Sequence, residues 1–225
     1  MKPLATRWSH LRAVLFDLDG TLIDSAEDLG RAANVMRQAR QLEPLPMSDY
    51  RPHGGSGARG MLRRAFGVAP GQAAYDALKC EFLDGYERLM YDNTRPFDGI
   101  EAELAALQAA GLAWGIVTNK AERFALPLTA ALRLNAATVV GGDTTAHAKP
   151  HPAPLLEAAR RLGVEPAACL YVGDDERDVI AGRAAGMATA VAAWGYLGPQ
   201  AQTSDWGADV ELAAPGSLLK LLGLA

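Results

Sequence analysis

Val14-Leu15-Phe16-Asp17-Leu18-Asp19-Gly20-Thr21-Leu22-Ile23-Asp24-Ser25 is the stretch from which the rest of the chain is best read. Three apolar residues, two of them strand-favouring, run into two carboxylates two residues apart and then into Gly20 and Thr21. That pattern predicts a buried strand ending in acid. If the strand continued through them, Asp17 and Asp19 would point the same way, because side chains alternate along a strand. At a separation of about 4 Å and an effective dielectric near 20, two such anions repel by about 4 kcal/mol. A fold that keeps the pair must therefore supply a cation, a proton or a basic partner. A helix N-terminus with an Asp cap is the local alternative.

The chain around this stretch is ordinary for a water-exposed protein. It has 225 residues, 49% of them hydrophobic and 21% charged, with a net charge of -4. That balance gives no reason to expect nucleic acid or an anionic membrane as partner, so an anionic ligand would need a local trap. No stretch approaches the roughly 20 apolar residues of a spanning helix, and the apolar run before Asp17 is too short for a signal peptide. A cytoplasmic protein is the resulting expectation. Cys80 and Cys169 are read as buried free thiols without a disulfide or catalytic role.

Residues 1 to 10 read as a loose tail. From Ser25 to Arg40 the apolar residues fall at helical spacing, with Ser25 as cap and Glu27 and Asp28 in the first turn. The next fifty residues also read as helices, broken by Pro44 and Pro46, by Gly54-Gly55-Ser56-Gly57, and by Pro70-Gly71. From Pro96 the rhythm changes. Strand-like runs at 112–117, 138–140, 169–172 and 189–192 alternate with helical runs at 100–110, 121–132, 152–162 and 177–185. A last amphipathic helix is expected around Pro215 to Leu222. Short alternating strands and helices predict an α/β fold, a parallel sheet covered on both faces. The expected organisation is a core of residues 1–23 and 96–225, interrupted after its first strand by an all-α insert, residues 24–95. Ligands of open parallel sheets bind at the carboxyl ends of the strands, where this insert also emerges, so it is placed like a lid over Asp17.

Three later motifs follow strands. Thr118-Asn119-Lys120 offers a hydroxyl and free amides before a helix, a good setting for phosphate oxygens. Lys149-Pro150 places a lysine in an extended loop. Gly173-Asp174-Asp175-Glu176-Arg177-Asp178 gathers four acids at a helix start. His147 and His151 have the spacing of a zinc half-site, but the neighbouring prolines and the lack of a further His or Cys argue against one.

Taken together, Asp17-Leu18-Asp19-Gly20-Thr21, Thr118, Lys149 and Asp174 resemble, in order, the four signatures of the haloacid dehalogenase superfamily. The implied fold is a Rossmann-like parallel-sheet core with an inserted helical cap. The resemblance is greatest to the phosphoglycolate phosphatase-like branch, on the Thr118-Asn119-Lys120 triplet. It implies a phosphomonoesterase in which Asp17 is the nucleophile and Asp19 the general acid and base. Thr118, Asn119 and Lys149 would bind phosphate, and Asp17, Asp19 and Asp174 would hold Mg²⁺. Asp175 and Asp178 would support that shell, Asp178 by orienting Lys149 or a metal-bound water. The ligands are all oxygens, which suits magnesium. Gly55, Ser56, Gly57, Arg59 and Lys120 are candidate specificity residues; surface positions for Arg59 and Lys120 are the alternative. The expected partner is a small phosphorylated metabolite. A sugar phosphatase, such as one acting on N-acetylmuramic acid 6-phosphate, and a phosphomutase would share this chemistry. A non-catalytic module holding a phospho-aspartate is a more distant reading, opposed by chain length and the inserted lid. Oligomeric state is not legible in the sequence.

Overall fold

The computed structural model describes residues 7–198 and 201–224. The chain opens with β1 (Ala13–Phe16) and β2 (Ile23–Asp24), then α1 (Ala26–Gln38), α2 (Met47–Tyr50), α3 (Gly57–Phe66) and α4 (Tyr75–Leu89). It continues through β3 (Arg95–Pro96), α5 (Ile100–Ala109), β4 (Ala113–Val117), α6 (Glu122–Ala131), β5 (Val139–Val140) and α7 (Ala153–Leu162). The last elements are β6 (Cys169–Gly173), α8 (Glu176–Ala184), β7 (Ala188–Ala192), β8 (Val210–Leu212) and α9 (Ser217–Leu222). Six strands form one parallel sheet in the order β5-β4-β1-β6-β7-β8, with β1 between β4 and β6. The α/β class and the strand–helix alternation expected from the sequence are present. Strand β8 was not expected: its three residues, Val210-Glu211-Leu212, are too short to show a period.

The sheet is buried on both sides because its side chains alternate between two apolar clusters. Val14, Phe16, Leu170 and Val172 pack on one face with Leu104 and Leu107 of α5 and Leu218 of α9. Ala13, Leu15, Cys169 and Tyr171 pack on the other with Leu155 and Ala158 of α7. Helix α7 shows why such segments fold as they do: Leu155, Ala158, Ala159 and Leu162 fall on one stripe, and Gly163, at φ +66°, ends it in the left-handed conformation. Trp8 and Leu11 belong to the first cluster, so Trp8 anchors the expected loose tail, while Arg7, Ser9 and His10 are exposed. Residues 1–6 lie outside the described residues.

The helices α1 to α4 have a core of their own, built on Leu29, Tyr50, Met61, Leu62, Phe82 and Tyr86. Phe124 of α6 also belongs to that core and meets Tyr86 edge-on at 5.7 Å between ring centres. Where the chain leaves and re-enters the sheet-bearing part, β2 and β3 pair as a short antiparallel ribbon, Ile23 opposite Pro96 and Asp24 opposite Arg95. Asp28 closes the same junction. Fully buried, it accepts hydrogen bonds from the backbone N–H and side chain of Asn93 and from the N–H and hydroxyl of Thr94. The sequence suggested only a first-turn acid there. Cys169 is buried as expected, but Cys80 is exposed on α4, correcting the sequence reading. Helix α4 buries a face containing Tyr75, Phe82 and Tyr86, and Cys80 lies off that face.

Candidate active site

Strand β1 stops at Phe16, and the chain turns before Asp19. Gly20 makes that turn at φ +88°, and a side chain there would strike Asp174, its Cβ lying 2.2 Å from Oδ2. Asp17 sits at the carboxyl end of the central strand, its N–H donating to Val172 O at 2.8 Å. Beside it, Lys149 Nζ lies 3.0 Å from Asp17 Oδ1 and 2.7 Å from Asp178 Oδ1. The ammonium also contacts Tyr171 Oη at 2.6 Å and Val117 O at 3.0 Å. Asp174 accepts from Thr21 Oγ1 at 2.7 Å and from the N–H of Tyr196 at 2.9 Å.

Carboxylate oxygens of Asp17, Asp174 and Asp178 all lie within 4.8 Å of one another. Burial pushes Asp17 up to about 6, against the pull of Lys149 and with the help of Asp178. Burial, then Asp17 and Asp178, drive Asp174 well above the ordinary carboxylate range. Lys149 is raised despite burial because Asp17 and Asp178 favour its charged form. A buried trio of acids with one lysine is an arrangement that a divalent cation would relieve, and its all-oxygen donor set suits a hard ion.

The acids brought together are not the expected three. Asp178 takes the place that Asp19 was expected to fill among the clustered carboxylates. The Asp19 carboxylate instead accepts from Lys120 Nζ, 3.0 Å from each oxygen, and from Ser25 Oγ. The reason is the turn: because the strand ends before Asp19, the alternation that would have aligned the two acids does not apply. Ser25 precedes α1 without capping it through its side chain, contrary to expectation. Lys120 is no surface charge. Its side chain is 8% exposed and stands over the ring of Tyr86, 4.7 Å from the ring centre. Asp19 holds its ammonium charged, and its proton affinity is raised although burial opposes this.

Thr118 is buried at the end of β4, its hydroxyl accepting from the N–H of Lys120 at 3.2 Å. The Asn119 side-chain amide is directed at Lys149, which leaves its backbone N–H as the group at this position for the expected contact with phosphate. Its Nδ2 donates to Lys149 O and its Oδ1 accepts from Lys149 N, both at 2.9 Å. It thus fixes the backbone of the lysine loop. Asp175 caps α8 by accepting from Arg177 N, while Asp178 accepts from Asp175 N in return. The Arg177 guanidinium pairs with Asp175 at 2.7 Å and donates to Gly55 O at 2.7 Å, tying the acidic loop to the glycine-rich turn. His147 and His151 lie ring against ring at 4.4 Å, and His151 Nδ1 accepts from Ala153 N.

A cavity of about 380 Å³ joins these parts. Asp17, Asp19, Thr118, Asn119, Lys120, Lys149, Asp175 and Asp178 line it from the sheet side, and Gly55, Ser56, Gly57 and Arg59 from the insert. Three tyrosines and an arginine complete the site unannounced by the sequence. Tyr171 contacts Lys149, and Tyr86 underlies Lys120. The Tyr196 N–H holds Asp174, while its Oη accepts from Ser25 N at 2.6 Å and Ala26 N at 3.0 Å. Gly54 permits this, as a Cβ there would lie 2.5 Å from the Tyr196 ring. Arg177 was visible only as one letter in an acidic run. No local pattern marks these residues, although Tyr171 sits in a strand next to the acidic motif.

Comparison with known proteins agrees with this geometry. Residues 11–186 match the family model for haloacid dehalogenase-like hydrolases. A phosphoglycolate phosphatase of Xanthomonas campestris pv. campestris (strain 8004) is 47% identical over 209 residues, covering 92% of this chain and 94% of that protein. An N-acetylmuramic acid 6-phosphate phosphatase of Pseudomonas aeruginosa is 42% identical over 218 residues, covering 96% of each. The crystal structure of a predicted phosphoglycolate phosphatase from Haemophilus somnus 129PT superposes with a TM-score of 0.82 at 25% identity, covering 94% of this chain and 98% of that one. With the four motifs gathered at one end of a parallel sheet beneath a helical insert, the chain belongs to the haloacid dehalogenase-like hydrolases.

Proposed function

We propose that the protein hydrolyses phosphate monoesters in two steps, with phosphoglycolate as the substrate its relatives favour. The observation that carries this reading is the pairing of Asp17 with Lys149 at 3.0 Å on the wall of a cavity large enough for a small ester. Asp17 attacks phosphorus, the ester oxygen departs, and an aspartyl-phosphate forms. Asp19 gives a proton to the departing alkoxide and then takes one from the water that cleaves the acyl-phosphate. Lys120 and Ser25 hold its carboxylate on the cavity wall for both roles. Lys149, fixed by Asn119 and Asp178, offsets charge on the phosphate oxygens, with Thr118 as the hydroxyl donor at the end of β4.

Mg²⁺ is the proposed ion, held by Asp17 and Asp174 with Asp178 beside them. The fit rests on three buried carboxylates without enough basic partners to balance them. When bound, the ion supplies positive charge that draws electron density from the phosphate. The insert, residues 24–95, acts as a cap that limits water around the acyl-phosphate. No helix among the described residues is long and apolar enough to cross a membrane.

A sugar phosphatase is the second reading, favoured by the cavity volume and by the relative named for N-acetylmuramic acid 6-phosphate. Measuring kcat/KM for phosphoglycolate and for that sugar phosphate, with Mg²⁺ and with chelator, tests both. Turnover that survives Asp17→Asn would reject the proposed chemistry.

A further inference from the structure

Tyr196 lies on the connection between β7 and β8, is 6% exposed, and is held at both ends. Its N–H donates to Asp174 Oδ2 at 2.9 Å, while Thr21 Oγ1 donates to the other oxygen at 2.7 Å. The connection packs directly on this acid, since a Cβ on Gly195 would overlap the Asp174 side chain. At the far end of the ring, the hydroxyl reaches the three residues through which the insert begins. It accepts from Ser25 N at 2.6 Å and Ala26 N at 3.0 Å, and donates to Asp24 Oδ1 at 3.1 Å. A phenol has one donor and two acceptor sites, so all three are used. The two N–H groups are orphans at the start of α1, which Ser25 does not cap with its own side chain. Tyr196 therefore caps α1 from 171 positions beyond Ser25.

The ring between these two ends has little room to swing. A Cβ on Gly54 would lie 2.5 Å from its Cδ2, and the Arg51 guanidinium stands over it at 5.3 Å while pairing with Asp24 at 2.7 Å. Gly54 and Arg51 both belong to a single-turn 3-10 helix of the insert, Arg51–Ser56. A clamped side chain with only two torsions carries a shift at its backbone over to its hydroxyl.

We propose that Tyr196 is a positioning residue that couples the metal-holding acid Asp174 to the hinge at residues 24–26, so that binding of a divalent cation and seating of the insert on the core favour each other. This rests on the assignment of Asp174 to the metal and extends it from the site to the cap. The insert is then held closed best over a site that already carries its ion, and substrate beneath it meets a complete set of groups. Coupling of this kind is reciprocal: the factor by which the cation steadies the hinge is the factor by which the hinge tightens the cation.

The test uses the full chain and Mg²⁺ alone, without substrate. Amide hydrogen exchange at Ser25 and Ala26 is measured with and without the ion, and Mg²⁺ affinity by calorimetry. In the wild type, Mg²⁺ should slow exchange at both amides about tenfold, within the range usual for coupled sites. Tyr196→Phe keeps the ring and the N–H to Asp174 but removes the hydroxyl. The ratio of exchange rates should fall to about one, and the Mg²⁺ dissociation constant should rise by about the same tenfold. Asp28→Asn loosens the junction of insert and core without touching Tyr196, and should change neither the ratio nor the affinity. Equal effects of Asp28→Asn and Tyr196→Phe would reduce Tyr196 to a structural support, and an unchanged ratio in Tyr196→Phe would place the coupling elsewhere. A wild type that binds Mg²⁺ without slowing the hinge amides would overturn the coupling while leaving the phosphatase reading intact. That comparison needs no variant, so it holds even if Tyr196→Phe fails to fold. No binding of Mg²⁺ by the wild type would instead overturn the metal assignment beneath the coupling.

Discussion

Lys120 Nζ stands 3.0 Å from both carboxylate oxygens of Asp19, while Asp17, two residues earlier, is held by Lys149 at the same distance. The repulsion expected between neighbouring acids is thus answered by two lysines from two different loops. Each lysine is then fixed from a second direction: Lys120 lies over Tyr86 and Lys149 is shared with Asp178.

This pairing makes Lys120 a positioning residue for Asp19. Lys120→Met should reduce kcat by about 10- to 100-fold for alkyl phosphates, within the range of lost acid–base assistance. The loss should be smaller for aryl phosphates, whose leaving groups need less protonation. Steady-state kinetics on both ester types checks this, and equal losses would assign Lys120 to phosphate binding instead.

Asp17→Asn should leave less than about a hundredth of wild-type kcat, because a carboxamide is a poor nucleophile. Its metal-free melting temperature should be no lower than that of the wild type, since the change removes one of three clustered acids. Thermal unfolding in chelator, alongside the turnover assay, separates lost chemistry from lost fold.

Metal-free stability should fall as pH rises. Asp17, pushed up to about 6 by burial, keeps its proton in the folded state where the unfolded chain has released it. The folded state then binds more protons, so this contribution is full below the ordinary value of 3.8 and is lost as pH passes about 6. Between pH 5 and pH 7 the loss attributable to Asp17 is about 1 kcal/mol. Asp174, raised by the same causes, acts in the same direction. Urea unfolding at the two pH values should show the decline in chelator, a shallower one in Asp17→Asn, and its reversal by Mg²⁺.

Asp174→Ala should raise the Mg²⁺ concentration for half-maximal activity. Asp178→Ala should also lower kcat at saturating Mg²⁺, because Lys149 loses its 2.7 Å partner. Metal titrations of both variants test this division. If saturating Mg²⁺ restores Asp178→Ala fully, Asp178 serves the ion and not Lys149.

Asp28→Ala should destabilise the protein by about 3 kcal/mol, since it leaves four buried or half-buried donors of Asn93 and Thr94 without their acceptor. The denaturation midpoint should fall. An unchanged midpoint would mean that water or rearrangement replaces the carboxylate.

The sequence by itself determined the α/β class, the helical insert after β1 and the four motifs in order. Apolar runs, helical spacing, glycines and prolines act on their immediate neighbours, so those features could be read residue by residue. What the tertiary structure decided was which acid meets which base. Lys120 and Asp19 are 101 positions apart, and Thr21 and Asp174 are 153 apart. Such partners are fixed by β1 lying between β4 and β6, an order that no local pattern contains. The same holds for Asp178 joining the acids in place of Asp19, for Asn119 clamping Lys149, and for Tyr196 linking Asp174 to the start of α1. Hydrogen bonds and ion pairs act over a few ångströms, so they are specified only once the packed sheet has brought distant segments together.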